Sequence, residues 1–216
     1  MREGRAATAS QVVSGTEGYA EEADALVRQY ESRRFEDVHR DVLHLLPQPP
    51  GRVLDVGAGT GRDAAALAAM GHRVTAVEPT AAMRTQAARL HPVPGIEWVD
   101  DSLPELAVIV LEGTAYDAVM LSAVWMHLDA AQRRRAMPVV AGLVRPGGVL
   151  VLSLRHGPVP AGRRMFDVTG EETAALAAAE GLQSVLHCER GESALGRPGV
   201  SWTRLAFRRP GGASTQ

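Results

Sequence analysis

The residues with the clearest chemical potential form a glycine-rich turn. An apolar run at residues 53–56 contains Asp55 and leads directly into Gly57, Gly59 and Gly61. Glycine adopts backbone conformations that other residues avoid, and it lets a ligand approach the main chain closely. The alanine-rich stretch that follows predicts a helix, whose first N–H groups lack partners within the helix and attract anions. This order of strand, turn and helix predicts a nucleotide-like ligand at the turn.

A single carboxylate follows the second apolar run. The run covers residues 73–77, and Glu78 comes directly after it. In nucleotide-binding α/β folds, an acid about 20 residues beyond the glycine turn hydrogen-bonds the hydroxyl groups of a ribose. A solvated acid at a strand end is the alternative interpretation. The spacing favours ribose binding.

Taken together, these motifs resemble a known family. The pattern G-x-G-x-G, with Asp55 before it and Glu78 after the next strand, is similar to motifs I and II of the class I S-adenosylmethionine-dependent methyltransferases. Nicotinamide dehydrogenases carry G-x-G-x-x-G instead. The resemblance extends over residues 52–207 and rests on the order of the motifs. It implies a Rossmann-like α/β fold with a seven-stranded, mostly parallel sheet, an antiparallel last strand, helices on both faces and an N-terminal helical lid.

The resemblance also implies S-adenosylmethionine as cofactor, S-adenosylhomocysteine as product and a set of residues around them. Asp55 organises the glycine loop, whose backbone amides face the methionine part. Asp100, which we favour, or Asp101 hydrogen-bonds the adenine amine. Met83 resembles an apolar residue near the adenosine, and a plain core methionine is the alternative. A tyrosine or arginine of the N-terminal helices meets the cofactor's carboxylate. The predicted cofactor contacts are Tyr19, Arg34, Asp55, Gly57, Ala58, Gly59, Gly61, Glu78, Pro79, Met83, Asp100, Asp101, Ser102, Leu103, Ser122, Ala123 and Val124.

The exit of the fourth strand predicts the place of chemistry. Residues 115–128 begin with a continuous apolar run, which is typical of a central strand buried on both faces. Ligands of open α/β sheets bind outside the carboxyl ends of the strands. His127 is therefore a candidate base or hydrogen-bond donor, and His156, after the fifth strand, is a second. The predicted substrate pocket consists of Tyr30, Trp125, His127, Arg155, His156, Arg163 and Arg164.

Two of these assignments have alternatives. Trp125 either walls the substrate pocket or packs beneath it. Arg163 and Arg164 lie in a loop after the fifth strand, where they could pair with a carboxylate or phosphate of the substrate. A surface loop rich in arginine is equally expected, because the chain contains no lysine. We predict no metal site.

Length and composition predict one domain. With 216 residues, 45% of them hydrophobic, the chain has enough apolar material for one sizeable core. We expect a flexible tail at residues 1–18, a methyltransferase domain at 19–208 and a flexible tail at 209–216. Within the domain, residues 19–50 form a helical cover and residues 51–208 the Rossmann-like core. No apolar run reaches the length of a membrane span, and residues 1–10 do not resemble a signal peptide, which predicts a cytoplasmic protein without membrane contact.

Two residue types are absent from the sequence. The lack of lysine excludes a Schiff-base or P-loop lysine, and the lack of asparagine excludes the motif with which amino-methylating DNA enzymes hold their target base. Both absences are typical of a GC-rich bacterial genome. The net charge of -2 opposes a broad nucleic-acid footprint. We therefore expect a small-molecule partner, no nucleic acid, and a monomer or homodimer.

The predicted activity is transfer of a methyl group from S-adenosylmethionine to an oxygen or nitrogen atom of a small molecule. The cofactor carries the reactive group, so the protein mainly holds donor and acceptor in line and excludes water. One alternative is an S-adenosylmethionine-binding regulatory or scaffolding protein without methylation activity. A nicotinamide-dependent oxidoreductase is another, which the acids at residues 100–101 and the terminal pair of strands oppose.

Overall fold

A seven-stranded sheet forms the centre of the molecule. The computed structural model describes residues 13–48, 50–190 and 199–211. The strands follow the order β3-β2-β1-β4-β5-β7-β6 across the sheet. Neighbours from β3 to β5 pair in parallel, and β7 pairs antiparallel with both β5 and β6. The strands are β1 (Arg52–Val56), β2 (Arg73–Val77), β3 (Ile96–Val99), β4 (Tyr116–Ser122), β5 (Val144–His156), β6 (Gln183–Arg190) and β7 (Ser201–Arg208).

Helices cover both faces of the sheet, as the resemblance implies. One face packs against the region of α2 and α3, through residues such as Phe35 and Leu67. The other packs against α5, α6 and α7, through residues such as Ile109, Met137 and Ala177. The helices are α1 (Ala23–Glu31), α2 (Phe35–His39), α3 (Arg62–Ala69), α4 (Ala81–Leu90), α5 (Ala107–Glu112), α6 (Ala130–Leu143) and α7 (Gly170–Ala179). Burial of both sheet faces explains why the central strands are continuous apolar runs.

Helix α6 begins where its sequence predicts. The Asp129 side chain accepts the backbone N–H of Gln132, and the Gln132 side chain accepts the backbone N–H of Asp129. This reciprocal capping box satisfies two donors at the helix start. Arg133 begins a run of three arginines in α6. Arg133 is buried and donates to Glu172 and to the Leu128 carbonyl, so it fastens α6 to α7.

The domain is longer at both ends than predicted. Residues 13–18, assigned to a tail, form turns in which Thr16 N–H donates to the Val13 carbonyl and Tyr19 N–H to the Thr16 carbonyl. At the other end, the Arg209 guanidinium donates to the carbonyls of Ala141 and Val144. The predicted tails at 1–12 and 212–216 lie outside the described residues. Among the helices that the structure describes, none is long and apolar enough to cross a membrane.

Candidate functional site

A cleft of about 250 Å³ lies at the carboxyl ends of the central strands. The loop after β1, the ends of β2, β4 and β5, and the middle of β7 contribute to its walls. Residues 13–16, Tyr19 and the α1–α2 region also line it. The N-terminal segment (residues 13–22) therefore borders the same space as the strand ends. This space lies at the edge of the sheet where ligands of α/β folds bind.

The glycine loop shapes the cleft between β1 and α3. Gly57 has φ of 71°, and a Cβ placed on it would lie 2.5 Å from Cγ2 of Val124. Glycine is required there for both conformation and space. The N–H groups of Gly57 and Ala58 both donate to the Val77 carbonyl, which fastens the loop to β2. This corrects the expectation that these two amides face a ligand, although both residues line the cleft.

Gly61 has a different role from the first two glycines. It precedes α3 with φ of 82°, and a Cβ there would lie 2.8 Å from the Trp98 ring. Gly61 is absent from the cleft lining, whereas its neighbours Thr60 and Arg62 are part of it. The third glycine thus lets the loop pack on Trp98, outside the ligand space.

Glu78 is held at the end of β2 by backbone amides. Its two carboxylate oxygens accept the N–H of Gly59 at 2.9 Å and the N–H of Thr80 at 2.8 Å. Burial raises the pKa of Glu78, and the two backbone hydrogen bonds oppose that rise. Each carboxylate oxygen keeps a lone pair for a further donor. Glu78 therefore presents a fixed pair of acceptors to the cleft, which it lines together with Pro79.

Two buried carboxyl groups of the same motif have opposite properties. Asp63, at the start of α3, binds Nε2 of His39 at 2.7 Å and the Arg62 guanidinium at 2.6 Å, and despite its burial these cations lower its pKa. Asp55, at the end of β1, has one carboxylate oxygen with no partner in the described part of the chain. Burial and the nearby charge of Asp63 raise the pKa of Asp55 well above its ordinary value. Both residues line the cleft.

The structure separates the two acids after β3. Asp100, which the resemblance favours, has an exposed side chain that pairs with Arg84 at 2.8 Å. Asp101 lines the cleft beside Ser102 and Leu103. Its carboxylate accepts the N–H groups of Ser102, Val108 and Ile109, and so anchors α5. Of the two candidates, Asp101 is the one that the cleft contains.

The N-terminal helices contribute different residues from those predicted. Tyr30 lines the cleft, as expected, and so does Arg33, whose Nε is buried without a hydrogen-bond partner among the described residues. The predicted contact, Arg34, is mostly exposed and pairs with Glu36. Met83 is buried against α1 and does not line the cleft, because it forms a small core with Ala23, Leu26 and their neighbours.

His127 lies in the cleft with both ring nitrogens engaged. Nδ1 lies 2.7 Å from the Arg164 carbonyl, which can only accept, so Nδ1 carries the proton. Nε2 therefore accepts the Tyr19 hydroxyl at 3.0 Å. Burial lowers the pKa of His127 and raises that of Tyr19, which favours a neutral imidazole beside a neutral phenol. Both residues line the cleft next to Ser122, Ala123 and Val124 at the exit of β4.

Several predicted substrate residues lie elsewhere. Trp125 is fully buried in the core, so it packs beneath the cleft. His156 hydrogen-bonds the Thr203 hydroxyl at 2.8 Å, and Arg155 donates to the Pro158 carbonyl. Neither His156 nor Arg155 lines the cleft, and the same is true of Arg163 and Arg164.

Both arginines of the loop after β5 bind the N-terminal segment. Arg163 pairs with Glu22 at 2.7 Å and lies 4.3 Å above the Tyr19 ring. Arg164 donates to the Ser14 hydroxyl and pairs with Asp129. These two side chains hold the segment onto the cleft, which explains why they are unavailable to a ligand.

Sequence reasoning missed the part of the cleft formed by β7. Arg204, Trp202 and, on β5, Ser153 line the cleft there. The Ser153 hydroxyl accepts the N–H of Ala123, a residue with φ of 60° at the exit of β4. No local motif marks these positions. Their place depends on the insertion of β7 between β5 and β6.

The sheet order and the cleft at the ends of β1, β2 and β4 define a class I S-adenosylmethionine-dependent methyltransferase fold. Residues 53–148 match the family described as "Methyltransferase domain". The chain is 37% identical over 115 residues to an uncharacterized methyltransferase of Mycobacterium tuberculosis, a match covering 50% of this chain and 41% of the relative. It is 35% identical over 129 residues to a ubiquinone biosynthesis O-methyltransferase of Methylocella silvestris, covering 58% and 49%. The chain thus spans about half the length of these relatives or less.

Solved structures agree with the fold. An N-methyltransferase from Bradyrhizobium japonicum, crystallised with S-adenosylhomocysteine, superposes with a TM-score of 0.66 at 20% identity, over 88% of this chain and 98% of that one. The match at residues 53–148 and the likeness to solved structures give the chain the fold of the class I S-adenosylmethionine-dependent methyltransferases.

Proposed function

We propose that this protein transfers the methyl group of S-adenosylmethionine to an oxygen or nitrogen atom of a small molecule, leaving S-adenosylhomocysteine. The observation that carries the proposal is the environment of Glu78. Its carboxylate is fixed by Gly59 and Thr80, beside the glycine loop and inside the cleft. A carboxylate in that position is suited to the two hydroxyls of a ribose.

The other groups of the cleft fit the rest of the cofactor. Its methionine end carries an ammonium and a carboxylate. The cleft offers an oxygen of Asp55 and the Nε of Arg33, both without a partner among the residues that the structure describes. Ser102 and Leu103, which the resemblance assigns to the neighbourhood of the adenine, also line the cleft. Asp55 and Arg33 match the opposite charges of the methionine end, and the carboxylate of Glu78 matches the two ribose hydroxyls. The residues present therefore fit S-adenosylmethionine.

When bound, the cofactor supplies a methyl group on a sulfonium that is already activated for displacement. The chain's own contribution is to align the acceptor and exclude water. Residues 13–16 and Tyr19 cover the cleft, and Ser122 and Ala123 at the exit of β4 border the space for the acceptor. Holding the acceptor in line there is the main task of the protein.

The pair of Tyr19 and His127 suits a hydroxyl acceptor. Because Nε2 of His127 accepts the Tyr19 proton, the phenol oxygen can take a proton from an acceptor while passing its own to the imidazole. Such a transfer leaves the imidazole charged beside the Arg164 carbonyl, which stabilises it. An amine acceptor needs only to arrive neutral. His156 lies outside the cleft and takes no part in this proposal.

The relatives support both acceptor atoms, because their names include an O-methyltransferase and an N-methyltransferase. We further propose that residues 19–50 act as a lid, that the protein is cytoplasmic, and that it works as a monomer or homodimer without nucleic acid. The contacts of Arg163 and Arg164 with the N-terminal segment support the lid.

Calorimetry with S-adenosylmethionine, S-adenosylhomocysteine and NADH tests the proposal. We expect the first two to bind and NADH not to bind. Glu78→Gln should weaken S-adenosylhomocysteine binding by about a hundredfold, because a charge-assisted contact to each hydroxyl is lost. Glu97→Gln, an exposed acid on β3, is the matched control. Binding of NADH alone would refute the proposal. Cofactor binding without S-adenosylhomocysteine formation on any amine or phenol of a broad panel would favour a regulatory protein.

A further inference from the structure

Arg204 lines the cleft from β7, a strand that is remote from the glycine loop in the order of the sheet. It lies on β7 opposite Ser153 of β5, and Ser153 pairs in turn with Ser122 of β4. The sheet order separates β7 from β1 by three strand spacings, or about 14 Å at roughly 4.8 Å each. Arg204 is therefore on the far side of the β4 exit from the groups that fit the cofactor.

The Arg204 side chain is buried and forms no ion pair with the residues that the structure describes. Only 9% of the residue is exposed. Its Nε and Nη1 have no hydrogen-bond partner among the residues that the structure describes. Its guanidinium lies 5.1 Å from the centre of the Trp202 ring, a cation–π contact that leaves these two N–H groups unsatisfied. Burial lowers the pKa of Arg204, as expected for a cation that has lost its water.

The nearest acids are already neutralised. Asp63 is bound by His39 and Arg62, and Asp41 is bound by both nitrogens of the Arg190 fork. A buried, unpaired cation is costly, and a guanidinium edge with two free N–H groups matches one carboxylate in bidentate geometry. A dianionic phosphate suits the site less well, because the acids Asp55 and Asp63 line the same cleft.

We propose that the methyl acceptor carries a carboxylate, which pairs with Arg204. Trp202, which lines the cleft beside Arg204, packs against the body of the acceptor. Two strand spacings, about 10 Å, separate β7 from the β4 exit, so the carboxylate lies at the opposite end of the acceptor from the methylated atom. This inference rests on the proposed function, since it assigns the substrate class of the same cleft.

The test uses matched fluorinated probes on the whole protein saturated with S-adenosylhomocysteine. The ¹⁹F line width of 4-fluorobenzoate reports binding of a carboxylate, and 4-fluorobenzamide is the neutral control. We expect benzoate to bind at least about tenfold more tightly than benzamide, because its contact with Arg204 is charge-assisted. In Arg204→Met this preference should disappear. Arg208→Met, on the same strand but hydrogen-bonded to the Gly147 carbonyl outside the cleft, should keep it.

Other outcomes overturn the inference. Equal binding of the two probes to the wild type, or no binding of benzoate at tens of millimolar, contradicts a carboxylate site. Loss of S-adenosylhomocysteine affinity in Arg204→Met, with the benzoate preference intact, would assign Arg204 to the cofactor. Thermal unfolding checks that Arg204→Met is folded, which we expect because the substitution removes an unpaired buried charge. If the wild type binds no S-adenosylhomocysteine, the proposed function fails, and the same titration of the free protein still decides the carboxylate site.

Discussion

Two buried polar regions of this molecule differ in how their hydrogen-bonding groups are satisfied. At the corner of α2 and α3, Asp63 has His39 and Arg62 as partners, and Nδ1 of His39 lacks one in the described chain. Along the cleft wall, Asp55, Arg33 and Arg204 keep atoms without partners in the described chain. Buried polar groups are normally paired, so an unpaired one needs a reason. The comparison indicates that the corner stabilises the fold, whereas the cleft wall is arranged for ligands.

The corner should show the largest effect on stability. Asp63→Asn leaves the buried His39 and Arg62 without their shared carboxylate, so we expect a loss of about 3–5 kcal/mol of unfolding free energy. Denaturant unfolding at neutral pH measures it. Because its partners lower the pKa of Asp63, the pair stabilises the fold above the ordinary carboxyl pKa and is lost as the pH falls through the lowered value. If Asp63→Asn unfolds at the same denaturant concentration as the wild type, the proposed difference between the two regions is wrong.

On the cleft wall, Asp55→Asn should separate binding from stability. The variant loses the charge that faces the cofactor's ammonium, so S-adenosylhomocysteine affinity should fall by about ten- to a hundredfold. Above the raised pKa of Asp55, the free variant should be more stable than the wild type by about 1 kcal/mol, because an ionised buried carboxylate is removed. The sign follows from the raised pKa: ionisation of Asp55 costs stability above that value, and the cost falls to zero as the pH drops from the raised value to the ordinary carboxyl pKa. Calorimetry and thermal unfolding across this range measure both effects, and lower stability of the variant above the raised pKa would contradict the interpretation.

Neighbouring arginines provide the next test. Arg33→Met should reduce S-adenosylhomocysteine affinity by about tenfold, since Arg33 lines the cleft with an Nε that has no partner in the described chain. Arg34→Met, one residue later and largely exposed, should bind like the wild type. Equal losses in the two variants would indicate a general effect of charge rather than a specific contact.

The smallest expected effect concerns the N-terminal segment, residues 13–22, which lies over the cleft. Tyr19→Phe removes the hydrogen bond to Nε2 of His127 and keeps the ring, so we expect a cost of about 1 kcal/mol. Hydrogen exchange of residues 13–22 should accelerate accordingly, by about fivefold if this segment opens locally. Tyr116→Phe, which loses a longer bond to Thr75 beneath the sheet, should leave that exchange unchanged. Unaltered hydrogen exchange in Tyr19→Phe would mean that Arg163 and Arg164 alone hold the N-terminal segment in place.

Local patterns explain what could be predicted from sequence. The order of β1, glycine loop, α3 and β2 depends on neighbouring residues, and so does the start of α6, where Asp129 and Gln132 cap each other. The sheet with its antiparallel last strand follows from the resemblance and is confirmed. Most cleft residues of the loop after β1 and of the β4 exit were predicted for the same reason.

The features that could not be predicted from the sequence depend on long-range contacts. Arg33 and Arg34 are identical in type, and only the change of direction between α1 and α2 sends one into the cleft and the other to solvent. Helix α5 depends on Asp101, whose carboxylate binds the N–H groups at its start from several residues away. Arg204 reaches the cleft because β7 inserts between β5 and β6. No spacing in the sequence encodes that insertion.

The ring of His127 also bears on the order of events in a turnover. It joins Tyr19, 108 residues earlier in the chain, to the Arg164 carbonyl, 37 residues later. Together with the pairing of Arg163 and Glu22, these contacts fasten Tyr19 and its neighbours at the cleft. For the proposed function, we therefore expect the cofactor to bind before Tyr19 contacts His127, and the spent cofactor to leave only after that hydrogen bond breaks. Product release, rather than methyl transfer, would then limit turnover.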